Sequence, residues 1–228
     1  MVQRTPQSQE KEQARMARPR RDSEILPAKE RMENAFWDLL ASREYRKITV
    51  TDIVREADVN RNSFYYHFSG LPELADAAIL HMVENTPVSL PQSGTDPETA
   101  WRTNVANVLQ SPEQRERLDR LSLVTGPHGS AELLASLRDF SRLNLMSILQ
   151  IDPQQLDLKT DLMLDFAIGG MFGVLRRWPE LSGRIKPEDL LNDDTAALAM
   201  SMYLSLSKTD MLGYWKRVFN PSAAPRIQ

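Results

Sequence analysis

Residues Ile48 to Phe68, ITVTDIVREADVNRNSFYYHF, decide the fold of this chain. Val50, Ile53, Val54 and Ala57 recur at the spacing of one buried helical face. Thr49 stands just before that run and Asp52 follows three residues later, the hydroxyl-and-acid pair that satisfies the free amides of a helix start. Asp58-Val59-Asn60 breaks the pattern. Asp and Asn accept left-handed backbone and bond locally, so the triplet predicts a turn leading into a new N-cap at Asn60. The second helix keeps only Phe64 and Phe68 for burial. Its other positions are Arg61, Asn62, Ser63, Tyr65, Tyr66 and His67. A helix this short cannot stand alone. It reads as a recognition helix, held against a small core and presented to a groove of DNA.

Working outward, residues 25–43 predict a first helix with Met32, Ala35, Phe36, Leu39 and Leu40 as one stripe, and Pro27 is tolerated near its start. On the other side Pro72 opens a helix running to Glu84. Thr86 to Pro97 is a Pro/Ser/Gly-rich connection and the natural boundary between two domains. Helical spacing then returns in Glu98–Gln110, Pro112–Val124, Ala131–Leu149, Leu156–Trp178 and Pro187–Leu206, with a last short helix over Lys208–Phe219. Breaks fall at Gly126-Pro127-His128-Gly129, at Asp152-Pro153 and from Pro179 to Lys186. No run alternates with the period of a strand. The expected fold is all-α: a helix-turn-helix domain over 25–84 and a larger helical domain over 85–228. Residues 1–24 are polar and poor in large apolar side chains, which predicts a disordered arm. Arg4, Lys11, Arg15, Arg18, Arg20 and Arg21 make it basic, so it reads either as an arm that follows phosphates or as a solvated tail.

Composition excludes several classes of function. At 228 residues and 41% hydrophobic content the chain can bury a substantial core. It has no cysteine, hence no disulfide, thiolate zinc site or thiol nucleophile. The longest apolar stretch, Leu162 to Leu175, is interrupted by Asp165 and too short to span a bilayer. A soluble, cytoplasmic protein is expected. The net charge of −3 is unevenly placed. Residues 1–69 hold 13 Lys and Arg against 11 Asp and Glu, whereas residues 70–228 hold 15 against 20. A mildly basic module on an acidic body suits DNA binding through one end.

His67, His81 and His128 are far apart in sequence and show no metal-ligand spacing. No nucleophile elbow or Gly-rich phosphate loop occurs, and Gly169-Gly170 with Gly173 lacks both the strand context and the spacing of a nucleotide fingerprint. Those glycines read as close helix packing. Neither an enzyme, a metal site nor a cofactor is expected. The ten methionines read either as an adaptable apolar cavity or as ordinary core filling. Met146, Met163, Phe166, Met171 and Trp178 are the candidates for an effector pocket. Trp101 and Trp215 could line it or plug helix ends.

Residues 28–83, and Val59 to Phe68 (VNRNSFYYHF) above all, resemble the TetR family of bacterial transcriptional regulators. A weaker likeness, FAIGGMFGVLRRWPELSG at 166–183, is similar to the penultimate long helix of many members, which packs at their dimer interface. The resemblance implies a homodimer that reads a palindromic operator in double-stranded DNA. It dimerises through residues 158–178 and 187–206 and answers to a small apolar effector, with repression the expected polarity. It places Thr49 and Thr51 at the DNA and makes Arg61 and Asn62 the base-reading pair, able to bond guanine and adenine two-pronged. Asn60 caps the helix, Ser63 and Tyr65 hold phosphates, and Tyr66 and His67 line the groove wall. Three positions depart from the family pattern: Glu44 and Asp58 replace glycines, and Leu71 replaces a phosphate-gripping Lys. Both glycine replacements are expected to strain the backbone a little, Glu44 more than Asp58. Two rivals stand beside this reading. One is a DNA-binding regulator without a small effector, controlled by a protein partner or acting as an activator. The other is an all-α enzyme or scaffold, against which the lack of a catalytic constellation argues.

Overall fold

The structure, a computed structural model, describes residues 26–84 and 97–186 together with Asp189. The arm over 1–24, most of the connection after Glu84, and the helices expected at 187–206 and 208–219 lie outside the described residues. So do the side chains of Trp101 and Trp215.

Every regular element among the described residues is helical. Helix α1 (Ala28–Ser42) leads through a single 3-10 turn (Tyr45–Lys47) into α2 (Val50–Glu56) and α3 (Arg61–His67). Then follow α4 (Leu71–Glu84), α5 (Pro97–Gln110), α6 (Pro112–Thr125), α7 (Ala131–Ile148) and α8 (Leu158–Leu181). Local chemistry sets most of the starts. Ser111, Ser130 and Asp157 each accept the amide hydrogen three residues on, at 3.4, 3.2 and 2.7 Å, and so open α6, α7 and α8.

At α8 both boundaries differ from the sequence expectation. Helix α8 begins at Leu158 rather than Leu156, because a 3-10 turn over Pro153–Gln155 comes first and Asp157 supplies the cap. It also continues past Trp178 to Leu181. Pro179 falls in the last turn, where few intrahelical bonds remain for it to break, and the Ser182 amide still reaches the Trp178 carbonyl at 2.8 Å.

The helix-turn-helix core is built from Met32, Phe36, Trp37 and Leu40 of α1, Ile53 of α2, Phe64 of α3, and Leu74 and Ile79 of α4, none more than 1% exposed. It does not stop at the head. The same apolar cluster takes in Leu121 and Val124 of α6, Leu133 and Leu137 of α7, and Leu175 of α8. Two small clusters lie apart from it. Val105, Leu109 and Trp178 form one, and Met146 and Leu164 the other.

Candidate nucleic-acid interface

Helices α2 and α3 are each only seven residues long, so their placement depends on caps and core rather than propensity. At α2 the Thr49 hydroxyl accepts the Asp52 amide at 3.2 Å and donates to the Asp52 carboxylate at 2.7 Å; the Thr49 amide donates to the same carboxylate at 3.0 Å. These bonds hold the Asp52 carboxyl below its usual value, with Arg43 and Arg55 adding to the effect. At α3 the Asn60 Oδ1 accepts the Ser63 amide at 2.7 Å. Between the helices Asp58 adopts φ 49°, the left-handed turn expected of it.

Arg31 fixes that turn from outside. Its guanidinium donates to the carbonyls of Ala57 and Asp58, both at 2.9 Å, tying α1 to the link between α2 and α3. The sequence reading missed this role, because an arginine on the flank of an amphipathic helix looks like any solvated one.

Helix α3 divides by face as its sequence implies. Phe64 and Phe68 are buried at 0% and 3%, with ring centroids 5.8 Å apart. Arg61, Asn62, Tyr65 and Tyr66 are exposed, and Ser63 and His67 are half-buried. At 85%, Tyr66 is the most exposed of the large apolar and aromatic side chains described, and its ring meets His67 edge-on at 5.0 Å. The Arg61 guanidinium lies 5.8 Å above the Tyr65 ring, a cation–π contact that restricts the arginine before any DNA arrives. Thr51 is exposed on the first turn of α2, while the Thr49 hydroxyl is committed to the cap. The nine expected contact residues thus fall on two adjoining helix starts and the outward face of α3.

The departures from the family pattern resolve differently. Glu44 sits at φ −60° in ordinary extended backbone, so no left-handed residue ends α1 and the expected strain is absent there. Asp58 does occupy the strained region. Leu71, half-buried, packs against the head core at the start of α4. Ser69 stabilises that start instead, its amide and hydroxyl donating to Glu73 at 2.7 and 2.5 Å and lowering the Glu73 carboxyl.

The five residues expected at an effector pocket are spread along the body. Met146 is buried beside Leu164, with Met163 half-buried against the same cluster. Trp178 belongs to a different cluster and donates its indole N–H to Asp119 at 2.7 Å. Phe166 and Met171 are exposed, at 66% and 41%. Gly169, Gly170 and Gly173 do not mark close packing among the described residues; an added Cβ at each would meet open space. No group of His, Asp and Glu able to hold a metal ion occurs among the described residues. No described helix is long and apolar enough to cross a membrane.

These features define a helix-turn-helix head carried on a larger helical body. Residues 35–78 match the family model of the bacterial regulatory proteins of the tetR family, so the likeness to that family lies in the helix-turn-helix head. A stretch of 59 residues, 25% of the chain, is 34% identical to YxbF, an uncharacterized HTH-type transcriptional regulator of Bacillus subtilis strain 168. The match spans only 16% of that protein's length. Among solved structures, GusR of Salmonella enterica superimposes with a TM-score of 0.52 at 18% identity, covering 82% of this chain and 98% of that one. The fatty acid degradation regulator FadR of Bacillus halodurans gives 0.52 at 18% identity, with coverages of 80% and 96%. At such identity the likeness is one of fold.

Proposed function

We propose that this chain is a dimeric, operator-binding repressor in which α3 enters the major groove. The observation that carries the reading is the division of α3, which buries Phe64 and Phe68 and leaves Arg61, Asn62, Tyr65 and Tyr66 facing outward. Arg61 and Asn62 read base edges, Ser63, Tyr65 and Thr51 hold phosphates, and Tyr66 and His67 line the groove wall. Dimerisation supplies a second copy of α3 one helical turn away, about 34–36 Å, and so a palindromic operator. The outward face of α8 supports the dimer. Leu158, Leu162, Phe166 and Val174 are 54–72% exposed on it, and its glycines would let a second helix approach closely.

Selection of bound duplexes from a random DNA pool tests the reading. Enrichment of a palindrome is expected, and a pool that never enriches would overturn it. On the selected site, Arg61→Ala should cost about 1–3 kcal/mol and relax one operator position. Tyr65→Phe keeps the ring beneath Arg61 and removes only the hydroxyl, so it should weaken all sequences alike.

Control of DNA affinity by a small apolar effector belongs to the same reading, with Met146 and Met163 at the most coherent of the candidate positions. The separation of Phe166, Met171 and Trp178 from that cluster favours a second version, in which the head answers to a protein partner and no effector is bound. A melting-temperature screen with apolar compounds separates the two: a ligand that raises the midpoint and changes operator affinity supports the first.

A further inference from the structure

The turn between α6 and α7, Gly126-Pro127-His128-Gly129, has no part in the interface described above, yet it makes two hydrogen bonds to the head. The His128 carbonyl accepts the Tyr45 amide at 2.9 Å, and its ring Nδ1 lies 2.9 Å from the Leu40 carbonyl. A carbonyl can only accept, so the ring carries its proton on Nδ1 and donates. Both partners are groups the head cannot satisfy by itself. Leu40 is in the last turn of α1, whose carbonyls lack intrahelical donors, and Tyr45 begins the 3-10 turn that follows. A donor at the negative end of α1 also complements its dipole.

The turn is stiff enough to aim such a side chain. Gly126 ends α6, and the Gly129 amide bonds back to its carbonyl at 3.2 Å. A Cβ at Gly129 would run into the carbonyl of Val124, so the backbone there passes where only glycine fits. Ser130 then caps α7 at once. The residues that receive the clasp sit directly ahead of the interface: Tyr45 is buried at 8%, and four residues on Thr49 caps α2.

We propose that His128 is a positioning residue for DNA binding, clasping the end of α1 and the turn before α2 so that the body sets the orientation of the head. This rests on residues 48–68 being the DNA-reading unit. The chemistry it requires is a donor at the δ position of the side chain. Asn places its amide nitrogen where Nδ1 stands, whereas Gln places it where Nε2 stands.

The test compares His128→Ala, His128→Asn and His128→Gln in the full chain. Hydrogen exchange of the Tyr45 amide is read first, since it needs no DNA. Exchange about tenfold faster in the Ala and Gln variants, with the Asn variant near the parent, is expected. Affinity for the palindrome selected from random duplexes should fall about tenfold in Ala and Gln and recover in Asn. Should the Ala variant fail to fold, Asn against Gln still decides, because both are polar and of similar size. Equal behaviour of Asn and Gln, in exchange or in affinity, overturns the clasp. A chain that enriches no duplex but shows the exchange pattern keeps the clasp and refutes the DNA reading alone.

Discussion

Asp58 carries the left-handed backbone that aims α3, and Arg31 holds the carbonyls on either side of the bend. Glycine adopts φ 49° without the Cβ penalty, so Asp58→Gly should raise stability by about 0.5–1 kcal/mol in a denaturant melt. Asp58→Val, β-branched and unable to bond locally, should lower it. Phe64 is fully buried at the centre of the head, and Phe64→Ala should cost about 3–5 kcal/mol by the same measurement. Both positions were legible in the sequence, one from its turn chemistry and one from its isolation on a polar helix. Trp37 was not. It lies off the stripe Met32, Ala35, Phe36, Leu39 and Leu40, yet it is 1% exposed. A periodic stripe reveals one buried face, whereas α1 packs on the head and also on α6 and is buried over a wider arc. Arg31 was hidden for a related reason: its partners are carbonyls, which no residue pattern advertises.

Among the elements, α2 and α4 begin beside carboxylates that accept from the residue ahead of the helix, Asp52 in a reciprocal box with Thr49 and Glu73 from the Ser69 amide and hydroxyl. Asp52 and Glu73 are both held below their ordinary values of 3.8 and 4.5, Asp52 first by its bond with the Thr49 side chain and Glu73 first by that with Ser69. The folded chain therefore favours their charged forms. The stability they add is present above those ordinary values and fades as the pH falls through the lowered folded ones. Thermal melts taken downward from about pH 5 should show the parent losing more stability than Asp52→Asn, which has no charge to protonate. At neutral pH, Thr49→Ala should cost about 1 kcal/mol by loss of the cap. Helix identities were legible from spacing, and helix ends less so. At α8 a capping Asp157 and a tolerated Pro179 shifted both boundaries, since each competes with periodicity through hydrogen bonds rather than through hydrophobicity.

At the scale of the whole molecule, the exposed face of α8 makes the strongest demand for a partner among the described residues. Phe166→Asp should turn the proposed dimer into a monomer in sedimentation without unfolding it, because the side chain is 66% exposed in the single chain. Loss of the linked second head should then weaken operator binding roughly 10²-fold or more. The division into a head over 25–84 and a body beyond it came from the Pro/Ser/Gly-rich connection, and that signal concerns chain path, not packing. The apolar cluster ignores the boundary, since Ala78, Ile79, Met82 and Val83 of α4 share it with Leu121, Val124, Leu133 and Leu137.

That shared cluster bears on how the proposed regulator can be rewired. A head cut after Glu84 and grafted onto a foreign body would carry an apolar patch from α4 shaped for α6 and α7 of this chain alone. Hybrid regulators built here should therefore become soluble and cooperative in unfolding only when the graft brings α6, the Gly126–Gly129 turn and α7 with it. The unit of exchange is a head together with its matching hairpin.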